Sequence, residues 1–119
     1  MAIKDIARGS TKRWKFTFTD LLGVVINITG WKLYYTVKSS LNDLDVVALI
    51  QVNTTAGDDG DDDILNGIMH LKVTSAETDI LEDVYHYDFT RVIPGGTPDV
   101  KVLEVGTFSI TKRATIGAV

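Results

Sequence analysis

Asp79-Ile80-Leu81-Glu82-Asp83-Val84-Tyr85-His86-Tyr87 runs from a polar corner straight into a strand. From Val84 to Ile93 the side chains alternate: Tyr85, Tyr87 and Phe89 share one side, and His86, Asp88 and Thr90 the other. A repeat of two residues is what a half-buried strand requires, because successive side chains point to opposite faces. A tyrosine placed this early after a corner has the reach to return its hydroxyl to backbone a few residues upstream. Tyr85 is the candidate for that bond.

Working outward, the same period recurs. Trp14, Phe16 and Phe18 alternate with Lys15, Thr17 and Thr19. Asp20-Leu21-Leu22-Gly23 is a turn signal, and Val24 to Ile28 reads as a short strand ended by Thr29-Gly30. Trp31, Leu33, Tyr35 and Val37 alternate with Lys32, Tyr34, Thr36 and Lys38. Ser39 to Asp45 is polar, and Val46 to Val52 is a β-branched and aliphatic run best taken as a strand. Residues 53–67 are the least structured by this reading, and Gly67 to Val73 returns to strand character. Thr74-Ser75-Ala76-Glu77 has the spacing of a capped helical turn. Pro94-Gly95-Gly96-Thr97-Pro98-Asp99 is a hairpin loop. Val100 to Val105 and Thr107 to Ile110 complete the set, with Gly106 expected at a bulge or bend.

About eight short strands separated by turns, without a long amphipathic helix, define an all-β chain and exclude a βαβ nucleotide-binding unit. The expected architecture is an immunoglobulin-like antiparallel β-sandwich of about 7–8 strands. Trp31 opens a strand where such domains bury an indole against the opposite sheet, and Tyr87 stands where antibody domains carry a cysteine. An aromatic pair would fill the volume a disulfide otherwise occupies. One domain is expected over residues 1–119, with its core within about 5–111 and residues 112–119 as a fraying tail.

The chain has no cysteine, which removes disulfides, thiolate nucleophiles and sulfur-bound zinc together. The charged start Met1-Ala2-Ile3-Lys4-Asp5 is unlike a secretory signal, and synthesis in a cytoplasm is expected. No apolar run approaches the length of a membrane span, so no membrane partner is expected. The net charge of −4 is unevenly spread: residues 1–38 carry seven Lys/Arg and two Asp, and residues 39–104 carry three Lys/Arg and fourteen Asp/Glu. Such halves could attract one another head to tail in neighbouring copies, although folding usually mixes them over one surface.

No catalytic constellation emerges. There is no Gly-x-Ser-x-Gly, and the glycines at 57–60 and 95–96 lack the lysine and following helix of a phosphate loop. No enzyme activity and no cofactor are expected. His70 and His86 fall on separate strands at positions expected to face solvent. Asp58, Asp59, Asp61, Asp62 and Asp63 offer hard oxygen ligands, but an EF-hand spacing would need a glutamate where Met69 stands. A solvated acidic loop is expected there rather than a metal site. Lys12, Arg13 and Lys15 with Trp14 form a basic-aromatic cluster too small for nucleic acid in a chain of pI about 5.0.

The chain resembles a family of small bacteriophage and prophage virion proteins, similar to the immunoglobulin-like N-terminal domain of phage baseplate upper proteins. The likeness covers about residues 5–111. It is carried by Arg8-Gly9-Ser10-Thr11, Trp14-Lys15-Phe16-Thr17-Phe18-Thr19-Asp20, Leu22-Gly23, Ile28-Thr29-Gly30-Trp31 and Tyr35-Thr36-Val37-Lys38. It continues through Ala48-Leu49-Ile50-Gln51, Glu77-Thr78-Asp79-Ile80, Tyr85-His86-Tyr87-Asp88-Phe89 and Gly106-Thr107-Phe108-Ser109-Ile110. The resemblance implies a non-enzymatic structural protein of a tail, baseplate or head, made in the bacterial cytoplasm and acting in the virion by contact with other virion proteins or copies of itself. Ending at Val119 without the long C-terminal extension by which a baseplate protein holds receptor-binding proteins, the chain is expected to be a short stand-alone tail, baseplate or head accessory protein as readily as that scaffold. The alternative is a β-sandwich that recognises carbohydrate or a host surface through its loops. Far-ultraviolet circular dichroism is expected to give a β-type spectrum; a helical double minimum would contradict the strand pattern.

Overall fold

The computed structural model describes residues 5–39 and 49–111. It contains β1 (Ile6–Ala7), β2 (Lys12–Thr17), β3 (Lys32–Lys38), β4 (Ile50–Thr55), a 3-10 turn (Ile64–Asn66), β5 (Ile68–Val73), β6 (Asp83–Ile93) and β7 (Asp99–Thr111). One sheet has the order β1-β7-β6-β3-β4 and the other is the pair β2-β5. The run β7-β6-β3-β4 faced by β2-β5 is the arrangement of a variable-type immunoglobulin sandwich. The larger sheet is mixed rather than wholly antiparallel, because β1 runs parallel to β7 through Ile6↔Ile110 and Ala7↔Thr111.

The core follows from the alternation. Phe16, Met69, Leu71 and Val73 point inward from the two-stranded sheet; Leu33, Tyr35, Val37, Tyr85, Tyr87, Phe89, Phe108 and Ile110 meet them from the larger one. At the centre Tyr35 stacks on Phe89 at 4.7 Å, and Trp14 crosses from β2 to reach both rings, at 5.1 and 5.3 Å. Trp31 is buried as expected and packs edge-on against Phe18, with the Arg91 guanidinium 5.2 Å from its centroid. It closes one end of the core, while Trp14 bridges its middle.

The corner forms as read. The Tyr85 hydroxyl donates to the Leu81 carbonyl at 2.6 Å, tying the start of β6 to the turn before it. Burial foremost, with the nearby Asp83 charge, raises the Tyr85 phenol above its ordinary pKa. Upstream, the Thr74 amide donates to Glu77 Oε1 at 2.9 Å and the Glu77 amide to Thr74 Oγ1 at 3.4 Å, a reciprocal capping pair. Thr78, fully buried, donates to the Ser10 carbonyl at 2.5 Å and so anchors the segment leading into β2.

Several local expectations change. Residues 24–28 form no strand; one isolated bridge joins Thr19 to Val25, because this segment crosses the end of the sandwich without a continuous partner. Residues 46–48 of the expected Val46–Val52 strand lie outside the described residues, and β4 extends to Thr55, into the stretch read as loop. Residues 6 and 7 belong to the sheet, with Ile6 buried, inside the expected core of about 5–111. Gly106 is not the bulge. The register slips between Phe89 and Thr90, leaving Leu103 as the extra residue, and Gly106 pairs regularly with Tyr87. A Cβ at Gly106 would stand 3.0 Å from the Tyr87 ring, so glycine is what lets that ring lie against β7 and donate its hydroxyl to Glu104 at 2.7 Å. The tail at 112–119 lies outside the described residues.

Two of the buried phenols, Tyr35 and Tyr85, differ. Tyr85 has its acceptor, but the Tyr35 hydroxyl is buried without a hydrogen-bond partner, and burial, reinforced by Tyr87, raises its pKa beyond the usual range. A made hydrogen bond contributes about 1 kcal/mol net, whereas burying an unmade one carries a desolvation cost. Tyr85→Phe is therefore expected to lower unfolding stability in urea by about 1 kcal/mol. Tyr35→Phe should leave it unchanged or raise it.

Candidate functional site

The end of the sandwich built by the β2–β3 connection is the most unusual surface of the protein. Asp20 organises it: Oδ1 accepts from the Leu22 amide at 2.8 Å and the Val24 amide at 2.9 Å. The Asp20 amide donates to the Val24 carbonyl, and the Gly23 amide to the Asp20 carbonyl. The side chain thus satisfies the turn's own donors and holds the tip in one shape. That tip carries Leu21 and Leu22, both essentially fully exposed at 105% and 89%. Val24 and Val25 are exposed beside them.

Leu65, on the 3-10 turn, joins this end. The Ile28 amide donates to the Ile64 carbonyl at 3.1 Å and the Phe18 amide to the Gly67 carbonyl at 2.8 Å, stitching 64–67 against both arms of the β2–β3 connection. Gly67 has φ of +73°, and a Cβ there would collide with the Phe18 carbonyl oxygen, so the close approach depends on glycine. Five exposed aliphatic side chains thus stand on hydrogen-bonded turns that backbone bonds tie together, and exposed apolar residues that cluster, unlike scattered ones, mark interaction sites.

The acidic loop is ordered, not merely solvated. Arg13 reaches across from β2 and binds Asp59 through both carboxylate oxygens, at 2.6 and 3.0 Å, and Asp61 at 2.7 Å. The Asp62 side chain is buried; its carboxylate accepts from the Gly57 amide at 2.9 Å and the His70 amide at 2.7 Å and lies 3.0 Å from His70 Nδ1. Asp58 accepts from the Thr55 amide. His70, expected in solvent, is therefore only 10% exposed. The basic and acidic halves meet within one molecule here, and Arg8 pairs with Asp79 in the same way at 2.9 Å.

Asp59, Asp62 and His70 bring ligand atoms within 4.8 Å of one another. Their oxygens are already engaged by protein donors, with a guanidinium supplying the positive charge. Hydrogen bonds from Arg13 first, then from the Asp61 amide, lower Asp59 to a pKa of about 2, and the same carboxylates raise Arg13 above its ordinary value. The basic cluster is likewise resolved: Arg13 is paired, Trp14 turns into the core, and Lys15 lies on the outer face opposite His70.

A concavity of about 450 Å³ lies on the outer face of the larger sheet, lined by Tyr34, Thr36, Gln51, His86, Asp88 and Thr90 with Val102 and Val105 at its side. His86 is here, half-buried, far from His70 in strand order. Sequence reading missed the apolar end. Its one signal was the pair of leucines inside Asp20-Leu21-Leu22-Gly23, positions where a turn ordinarily carries polar residues. Comparison with family models, curated proteins and solved structures gives no match.

The Arg13–Asp59 contact predicts an acid signature. Because Asp59 is depressed from 3.8 to about 2 on folding, its stabilisation is complete above the unfolded value and is lost as pH falls through the folded one. The difference in Tm between the protein and Arg13→Gln should be constant above about pH 5 and shrink towards pH 2.

Proposed function

We propose that this protein is a non-enzymatic assembly module, a structural component of a bacteriophage or prophage virion that works by protein–protein contact. The observation carrying the contact reading is the apolar end: Leu21, Leu22, Val24, Val25 and Leu65 exposed on turns that hydrogen bonds hold in place. Burying one leucine side chain is worth about 2 kcal/mol, so a few such residues suffice to anchor a partner when the turn needs no ordering on binding. The virion setting rests on the sequence resemblance over residues 5–111, and an immunoglobulin-like frame suits it as a rigid carrier for such a surface.

A second reading, recognition of carbohydrate, is favoured by the groove of about 450 Å³ on the outer sheet face, where Tyr34 is flanked by hydroxyl, amide, carboxylate and imidazole groups. The two readings put the working surface in different places. Mass spectrometry of particles purified after prophage induction is expected to find the chain in fixed proportion to other virion proteins, and Leu21→Ser with Leu22→Ser to deplete it. Full retention of the double variant would remove the apolar end from assembly, and glycan-array binding abolished by Tyr34→Ala would favour the second reading.

A further inference from the structure

The groove on the outer face of the larger sheet has a floor that packing alone does not account for. The strand register lays two rows across it: Val105, Asp88, Thr36 and Gln51 stand side by side on β7, β6, β3 and β4, with Val102, Thr90 and Tyr34 in the next row. Thr36 is the unusual member. It faces the groove rather than the core, yet it is only 6% exposed. Its hydroxyl has no hydrogen-bond partner among the described residues. A hydroxyl can both donate and accept, and one left desolvated and unmade carries a cost that a ligand would relieve. Asp88, directly opposite, is held for the same task. Its Oδ1 accepts from the Thr90 hydroxyl at 3.0 Å, and no described residue engages Oδ2. Asp88 and Thr90 lie on either side of the register slip between β6 and β7, and bulges of this kind re-aim side chains. Val102 and Val105 are exposed along one flank, Tyr34 adds an aromatic ring, and Lys38 and His86 stand one row further along.

Resting on the carbohydrate reading of this groove, we infer that it takes an uncharged pyranose, two of whose neighbouring hydroxyls bond to Thr36 and to Asp88 Oδ2. The C–H face of the sugar then lies on Tyr34 and the two valines. A carboxylate accepts and does not donate, so the ligand must bring a donor to Asp88. A hydroxyl does so, whereas a phosphate or an acidic sugar would be repelled by the like charge. An ammonium would suit Asp88 but gain nothing from the apolar flank. Side chains directly opposed on antiparallel strands stand roughly 5 Å apart at Cβ, a spacing that hydroxyls on adjacent ring carbons can bridge. The volume of about 450 Å³ is in the range of small-ligand sites, which combine apolar walls with a few placed polar groups.

A glycan array carrying neutral, acidic and amino-sugar probes, followed by NMR titration of the full chain with the matching methyl glycosides, tests this. Neutral glycans are expected to bind in preference to the other two. Thr36→Val keeps the β-branched shape and removes only the hydroxyl. It should weaken binding about fivefold and leave Tm unchanged, because the hydroxyl has no partner to lose. Asp88→Asn keeps the size and an acceptor for Thr90, and should weaken binding about tenfold or more. Deleting the ligand hydroxyl that meets Thr36 should cost the parent chain as much as Thr36→Val does, and cost that variant nothing further. Unchanged affinity in either variant, or a preference for acidic or amino sugars, would overturn the inference and leave a Tyr34-dependent carbohydrate site standing. A lower Tm for Thr36→Val would likewise overturn it by making the hydroxyl structural. An array on which no glycan binds would remove the carbohydrate reading together with the inference.

Discussion

Everything in this fold depends on one aromatic contact across the sandwich. The second sheet has only two strands, β2 and β5, and a two-stranded ribbon is marginal unless its apolar face is covered. Trp14 supplies the cover by spanning the gap to Tyr35 and Phe89, themselves stacked. Around that node Phe16 meets Phe89 edge-on and Tyr87 meets Phe89 and Phe108 in the same way, geometries in which ring edges face ring faces and attract beyond simple burial. Without cysteines, this cluster holds the sheets together where antibody domains use a disulfide. The Tyr87 ring can join it because Gly106 lets β7 run close by.

The rigidity of the core has consequences at both ends. At one, the corner before β6 is pinned by Tyr85 and Thr78. At the other, the β2–β3 connection is held by Asp20, by backbone bonds to residues 64–67 and by Trp31 packed beneath it. Turns held this firmly expose their leucines without the option of folding them back. That exposure is the observation on which the assembly proposal rests.

Part of the charge is paired within the molecule. Seven cationic residues crowd the first third of the sequence and five aspartates crowd residues 58–63, a pattern that left attraction between copies open although mixing over one surface was the expectation. Folding lays β2 beside the acidic loop, where Arg13 takes two carboxylates and the backbone amides of Gly57 and His70 take a third. The same pairing explains why the aspartate cluster is a structural network, its oxygens already occupied.

The sequence by itself determined the local elements whose signals are periodic or short-range. The alternation through Tyr85, Tyr87 and Phe89, the Tyr85 corner, the Thr74–Glu77 capping pair and the burial of Trp31 are all legible in neighbouring residues, because each is decided within a few positions along the chain. Tertiary structure alone decided what depends on distant partners. Residues 24–28 are β-branched enough for a strand but have no neighbour to pair with continuously; Ile6 and Ala7 pair with a strand more than a hundred residues away. His70 is buried because Asp62, eight residues earlier, folds over it. The apolar end was invisible for the same reason. Leu21-Leu22 and Leu65 are far apart in sequence, and only hydrogen bonds formed on folding join the two connections that carry them.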